Sequence, residues 1–374
     1  MRKTPLIAGI TGLATVAALC ASLAPVSQAA PSSLPAADGL SVAKAIVAKY
    51  SKTPTSIGKM APLPKAPPKG KTIVTITSGV DSGRVLNRGV VEAGKALGWK
   101  VTVDETANSA EEGRAAIERA IAKKVDGISI AGIEPETIKD LLTKAEKAGI
   151  VMVGFSMMGK PYAALKDTHI AGPATLDLWG QMIAAYAVAN TNAKAKVQMF
   201  TLPLYPILIR YDDSFEKNLK KMCPTCTATR NPQQITDIGT KVPSAVVNAL
   251  KANPETNFVS SDLGDLFIGV PAGLQAAGET GQAQIGGLSG TKANIQNLKD
   301  GTENAWTAAP YPLEGWLIAD SFARYWTGVP FATNTVPTQI MTQGNVGSLV
   351  TDSEGNYIGV KDYQAQFKKL WQVK

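Results

Sequence analysis

Cys223 and Cys226 stand as Cys-Pro-Thr-Cys, a spacing that serves a local disulfide, a redox couple or half of a zinc site. Zinc would need two further ligands, and His169 is the only histidine in the chain. No thioredoxin-like pattern surrounds the pair, so if the chain is exported it reads as a structural disulfide. His169 has no second histidine or cysteine at ligand spacing and no serine partner set, which leaves it a structural place at a strand end. Gly286-Gly287-Leu288-Ser289-Gly290-Thr291-Lys292 lacks the spacing of a phosphate-binding loop and reads as a turn. Asp212-Asp213 falls at an expected helix start, where carboxylates cap exposed amides. With no nucleophile elbow and no HExxH, neither catalysis, a metal nor a cofactor is expected. The chemistry on offer is binding.

The elements that must position a binding site begin after a leader. Arg2 and Lys3 precede an apolar stretch from Leu6 to about Leu23, and Ser27-Gln28-Ala29 supplies the small residues of a cleavage site. Residues 1–29 therefore read as a signal peptide and the protein as exported, periplasmic or extracellular. A lipoprotein cut before Cys20 is the alternative, against which Leu19 stands where a small residue is wanted. Residues 30–70 read as a tether, with a short helix from Ser41 to Tyr50 and then a run dense in proline. The formal charge is +8, of which Arg2 and Lys3 supply two. Basic residues are scattered among acidic ones rather than clustered with aromatics, so no nucleic-acid partner is expected. No later apolar stretch is long enough to span a bilayer, so the membrane is expected to be met only through a partner or an anchor.

From Lys71 onward, short β-branched runs alternate with helical apolar spacing. Strands are expected at 72–77, 99–103, 127–130 and 151–153, with helices at 85–97, 109–123 and 134–148 between them. A second series follows: helices at 176–189, 209–222, 242–252 and 266–277, with strands at 197–200, near 227, at 258–260 and at 283–285. Strands apolar on both faces and joined by helices make covered parallel sheets. The expected fold is α/β, two Rossmann-like doubly wound lobes joined by a hinge, with a ligand at the strand ends between them. Residues 71–172 plus 311–334 are assigned to the first lobe, and 173–310 plus 335–374 to the second lobe and tail.

Segments such as "EAGKALGWKV", "KKVDGISIAG" and "KAGIVMVGF" in the first half, and "GLQAAG" and "IGGLSGT" in the second, resemble the ribose/galactose-type periplasmic binding proteins, cluster B of the type I fold. The resemblance covers most of 71–345 in order. The proline-rich segment and the tail after Gly347 are similar to an actinobacterial branch of sugar transporter substrate-binding proteins. It implies three crossovers at the hinge, closure on a solute, and delivery to the permease and ATPase subunits of an ABC importer by a monomer. A ligand-presenting subunit for a chemoreceptor or sensor kinase is the alternative within the class. A repressor sharing the fold would need a helix-turn-helix where the leader stands.

Carried over by position, the resemblance places ligand contacts at Ser78, Asp81, Ser82 and Arg84 in the first strand's loop, with Asp81 and Arg84 as departures from it. An Asp-Arg pair of the family falls on Ser156 and Met157, and a family Arg on Arg210 or Tyr211. Further positions fall at Asp262 and Asp265, a family Asp at Ser289, and a family Gln at Ala309. Losing charged planar groups lowers the capacity to pair sugar hydroxyls. The pocket is thus expected to be less polar than a pentose site. Arg84 and Arg210, expected to face the cleft from opposite lobes, suit a carboxylate, with Met157, Trp306 and Tyr311 as an apolar wall. The rival is a neutral polyol held by serines, with both arginines turned away.

Overall fold

The computed structural model describes residues 36–333 and 336–374. The expected signal peptide, Cys20 and the first residues of the expected tether lie outside the described residues. In chain order the elements are α1 (Ala36–Tyr50), β1 (Thr72–Ile76), α2 (Asp81–Leu97), β2 (Lys100–Asp104), α3 (Ala110–Ala122), β3 (Gly127–Ala131), α4 (Lys139–Lys147), β4 (Val151–Phe155) and β5 (Leu165–Ile170). Then come α5 (Pro173–Asn190), β6 (Lys196–Thr201), α6 (Pro206–Met222), β7 (Thr227–Pro232), α7 (Lys241–Ala252), β8 (Phe258–Ser261), α8 (Val270–Ala277), β9 (Gln284–Gly287), α9 (Lys292–Lys299), β10 (Ala305–Thr307), α10 (Tyr311–Thr327), β11 (Ile340–Thr342) and α11 (Tyr363–Trp371).

Two sheets repeat one winding. The first is ordered β2-β1-β3-β4-β5, all parallel. The second runs β7-β6-β8-β9-β10, also parallel, and ends on antiparallel β11. Each sheet reverses its order beside its first strand, where a ligand meets the strand ends of an open α/β sheet. Strand alternation divides the first lobe's core. Val74, Ile76, Ile128 and Ile130 face α3 and α4, while Ile73, Val151 and Val153 face α2 and α10. Local signals close the helices: Ser109 accepts from Glu112 N–H at the start of α3, and Gly98 takes a left-handed φ of 71° after α2.

Helices α2 and α10 cross at two glycines. A Cβ on Gly89 would meet the Pro312 carbonyl oxygen at 2.3 Å, and one on Gly315 the Gly89 carbonyl carbon at 2.5 Å. Only glycine permits this approach, and it sets the residue beside Gly315 against the first lobe.

Three sequence expectations are corrected. Residues 36–70 are not a free tether. Ala43 of α1 is buried in the second lobe's core, whereas Ile57 and Leu63 are buried in the first lobe's. Leu63 N–H donates to Leu370 O at 2.8 Å and Trp99 Nε1 to Pro68 O at 2.8 Å. The tail is also divided. β11 belongs to the second sheet, but Tyr363, Phe367 and Trp371 of α11 enter the first lobe's core, where Trp316 stacks on Trp371 at 5.2 Å. Finally, Asp212 and Asp213 lie inside α6, not at its start.

Candidate functional site

A cavity of about 110 Å³ lies where the carboxyl ends of the strands from both sheets converge. Ser78 after β1, Ser82 in the first turn of α2, Gly132 after β3 and Ser156 after β4 line it from the first lobe. Tyr205 before α6, Ile207 at its start, Leu263 after β8, and Leu288 and Ser289 after β9 line it from the second. Tyr311 and Glu314, in the first turn of α10, complete it. Much of the wall is apolar or aromatic, with Val80, Leu86, Phe155, Leu176, Trp179 and Leu208.

Ser156 and Ser289 occupy equivalent places, each just after the fourth strand of its winding. Both take left-handed φ, 51° and 56°. A serine in that conformation is strained, and such strain gathers at ligand-holding loops.

Glu314 is the one carboxyl among the described residues that line the cavity. Its side chain is fully buried, and neither carboxylate oxygen has a hydrogen-bond partner. Burial alone pushes its carboxyl up to about 8. Tyr205 presents a hydroxyl with no partner, pushed up to about 12 by burial. The Tyr311 hydroxyl rises far above the ordinary phenol range through burial and the nearby acids Asp265 and Glu314, with Ser289 and Ser82 bonding to it. Asp265 is buried behind this group, accepting from Ser82 N–H at 3.4 Å across the lobes, and its other oxygen is unpartnered.

Four of the residues carried over from the resemblance line the cavity: Ser78, Ser82, Ser156 and Ser289. Eight do not. The expectation that two arginines face the cleft is corrected. Arg84 turns outward to Glu105 at 3.6 Å, and Arg210 pairs with Asp177 at 2.8 and 2.5 Å on the neighbouring helix. Asp81 forms a 3.7 Å ion pair with Lys292 of the other lobe. Met157 folds back beneath its own sheet, its sulfur against Gly154, so it forms no cleft wall. Tyr211 is buried in the second lobe, with its hydroxyl 3.5 Å from Ser260 Oγ. Asp262 accepts from Leu202 N–H at 2.6 Å, and Ala309 is buried beside the hinge. Trp306 is spent on the core, donating to Glu303 at 2.7 Å.

Other chemistry-bearing residues have local tasks. Cys223 and Cys226 are joined as a disulfide after α6. His169, on β5, hydrogen-bonds through Nδ1 to Asp167, which also accepts from Ser321. Asp212 and Asp262 are buried together in the second lobe. Burial raises both well above the ordinary carboxylate range, and the charge of Asp262 adds to the rise at Asp212.

Sequence reasoning missed Glu314, Tyr205, Trp179 and Phe155. The signal available for Glu314 was an acid within the apolar run Tyr311-Pro312-Leu313-Glu314-Gly315-Trp316-Leu317-Ile318.

Residues 73–329 match the family described as periplasmic binding protein domain. No curated protein matches the chain by sequence. Among solved structures, an ABC transporter solute-binding protein from Burkholderia graminis in complex with D-arabinose is 19% identical, covering 76% of this chain and 99% of that one, with a TM-score of 0.65. A 5-methylthioribose transporter solute-binding protein from Thermotoga lettingae is 16% identical over 82% of this chain and 99% of its own, TM-score 0.68. A Bacillus halodurans solute-binding protein with bound myo-inositol is 13% identical over 75% and 97%, TM-score 0.65. At these identities the likeness establishes the fold.

Proposed function

The chain belongs to the periplasmic binding protein domain family, and from that membership we propose that it captures a small solute between its lobes outside the membrane and delivers it to the permease and ATPase of an ABC importer. The observation that carries this reading is the cavity itself. Strand-end loops of both lobes line one space, and interlobe contacts at Ser82–Asp265 and Asp81–Lys292 close over it. A solute touching both walls stabilises the closed arrangement by its differential affinity for it. Export is part of the proposal, and among the described residues no helix is long and apolar enough to cross a membrane.

The solutes named for the three similar structures are a pentose, a thioribose and a cyclitol, which supports a ring of that size here. The wall is suited to one with an apolar face. With Arg84 and Arg210 engaged elsewhere, the carboxylate reading loses its anchors. A thermal-shift panel of sugars, polyols, aromatic amines and aromatic acids tests the function. A true ligand raises the melting temperature with concentration, by about 2.7 kcal/mol of added stability at a hundredfold excess over Kd. Uniformly flat responses across the panel would count against capture in this cleft.

A further inference from the structure

The lining of the cavity contains an acid and no base. Glu314 carries two unpartnered carboxylate oxygens in a fully buried position, and among the described residues no lysine, arginine or histidine shares the wall. The cations that could have met it are committed elsewhere: Lys292 to Asp81, Arg84 to Glu105, Arg210 to Asp177. Asp265, behind Ser82 and Tyr311, adds a second buried carboxyl with an oxygen left over.

A buried polar group without a partner is costly, and the molecule tolerates it where something else supplies the partner. Resting on the solute-capture reading and narrowing it, we propose that the cleft is built for a monocationic amine carried on an apolar ring, with the ammonium at Glu314. Three features select this class. Attraction between opposite charges grows as water is excluded, so an ammonium gains more at this carboxylate than a neutral hydroxyl does. Phe155, Trp179, Tyr205 and Tyr311 surround the space with aromatic groups, which accept both a ring and a cation. An anion would find no donor of positive charge among the described residues of the lining and would meet an acid that burial already keeps from ionising. Burial favours the protonated form of Glu314 in the empty cleft, so the ammonium itself supplies the counter-charge that ionises it, and binding at neutral pH releases a proton.

The test uses three probes of matched shape and different charge: benzylamine, benzyl alcohol and benzoate, titrated by calorimetry at neutral pH into the full chain and into Glu314→Gln. Benzylamine should bind at least about tenfold tighter than benzyl alcohol, with benzoate weakest, and Glu314→Gln should abolish the gap. Thermal unfolding of the variant establishes that it folds; should it not, the order of the three probes on the unaltered chain decides alone. Equal or better binding of the alcohol or benzoate, no binding of any of the three, or a gap that survives Glu314→Gln would overturn the assignment. D-arabinose binding equally to both proteins would overturn the amine and leave solute capture standing. Failure of these probes and of the whole sugar and polyol panel would overturn capture as well.

Discussion

Helix α10 buries two carboxyl groups six residues apart, about 9 Å along the axis, and treats them in opposite ways. Asp320 accepts from Arg324 Nε at 2.6 Å and from Trp371 Nε1 at 2.8 Å, and Arg324 also donates to Ala61 O at 2.9 Å. Glu314 accepts from nothing. Burial raises both groups, but only at Asp320 do Arg324 and Trp371 pull the other way. Burial of a charge therefore does not mark a binding site by itself; a missing partner at the wall of a cavity does. At the back of the hinge the charged groups are closed off: Asp320, Arg324 and Trp371 satisfy one another, and Arg324 also ties in the amino-terminal segment at Ala61. The front is open chemistry.

The largest effect should come from breaking the closed end. Arg324→Ala leaves Asp320 buried with its charge uncompensated and should cost about 3–5 kcal/mol, read as a large fall in thermal unfolding temperature. At the open end the sign reverses. Glu314→Gln should raise the stability of the unliganded protein by about 1–3 kcal/mol at neutral pH, because it removes an acid whose ionisation folding opposes. A carboxyl raised to about 8 in the fold contributes most stability below its unfolded value near 4.3, and that contribution is lost as pH rises toward about 8. The advantage of the variant should therefore widen between those limits, by at most about 1.4 kcal/mol per pH unit for one proton. Parallel curves for the two proteins would contradict the orphaned carboxyl. The smallest effect belongs to a charge outside both regions. Arg210→Ala, at an exposed pair with Asp177, should change stability by about 0.5 kcal/mol or less and leave solute binding unchanged.

Much of the frame was legible. Val74, Ile76, Ile128 and Ile130 belong to short β-branched runs that have few readings other than covered strands, and the apolar spacing of α2 and α3 announces their buried faces. Ser78, Ser156 and Ser289 could be placed near the cleft because the family resemblance assigned those positions to ligand contacts, and each lies in a loop after a strand of its sheet. Side-chain destinations were not legible in the same way. Arg84 reaches Glu105 on the loop after β2, and Arg210 reaches back to Asp177 on α5, pairings that depend on how separate elements pack. Leu63 sits among prolines with no apolar period around it, and its place in the first lobe's core goes with hydrogen bonds between its backbone and Leu370 and Gln372 of the returning tail. Glu314 was hidden for a related reason. An acid in an apolar helix reads as a solvated position until the crossing at Gly89 and Gly315 presses that turn of α10 against α2.

Hydrogen exchange at the two walls of the cleft tests the central claim most directly. The segments 78–86 and 263–267 carry the interlobe contact of Ser82 N–H with Asp265. With the compound that gives the largest thermal shift, both segments should gain protection together, while β2 and β7 at the far edges of their sheets should change little. Protection gained by only one segment, or by neither despite measurable binding, would contradict capture between the lobes.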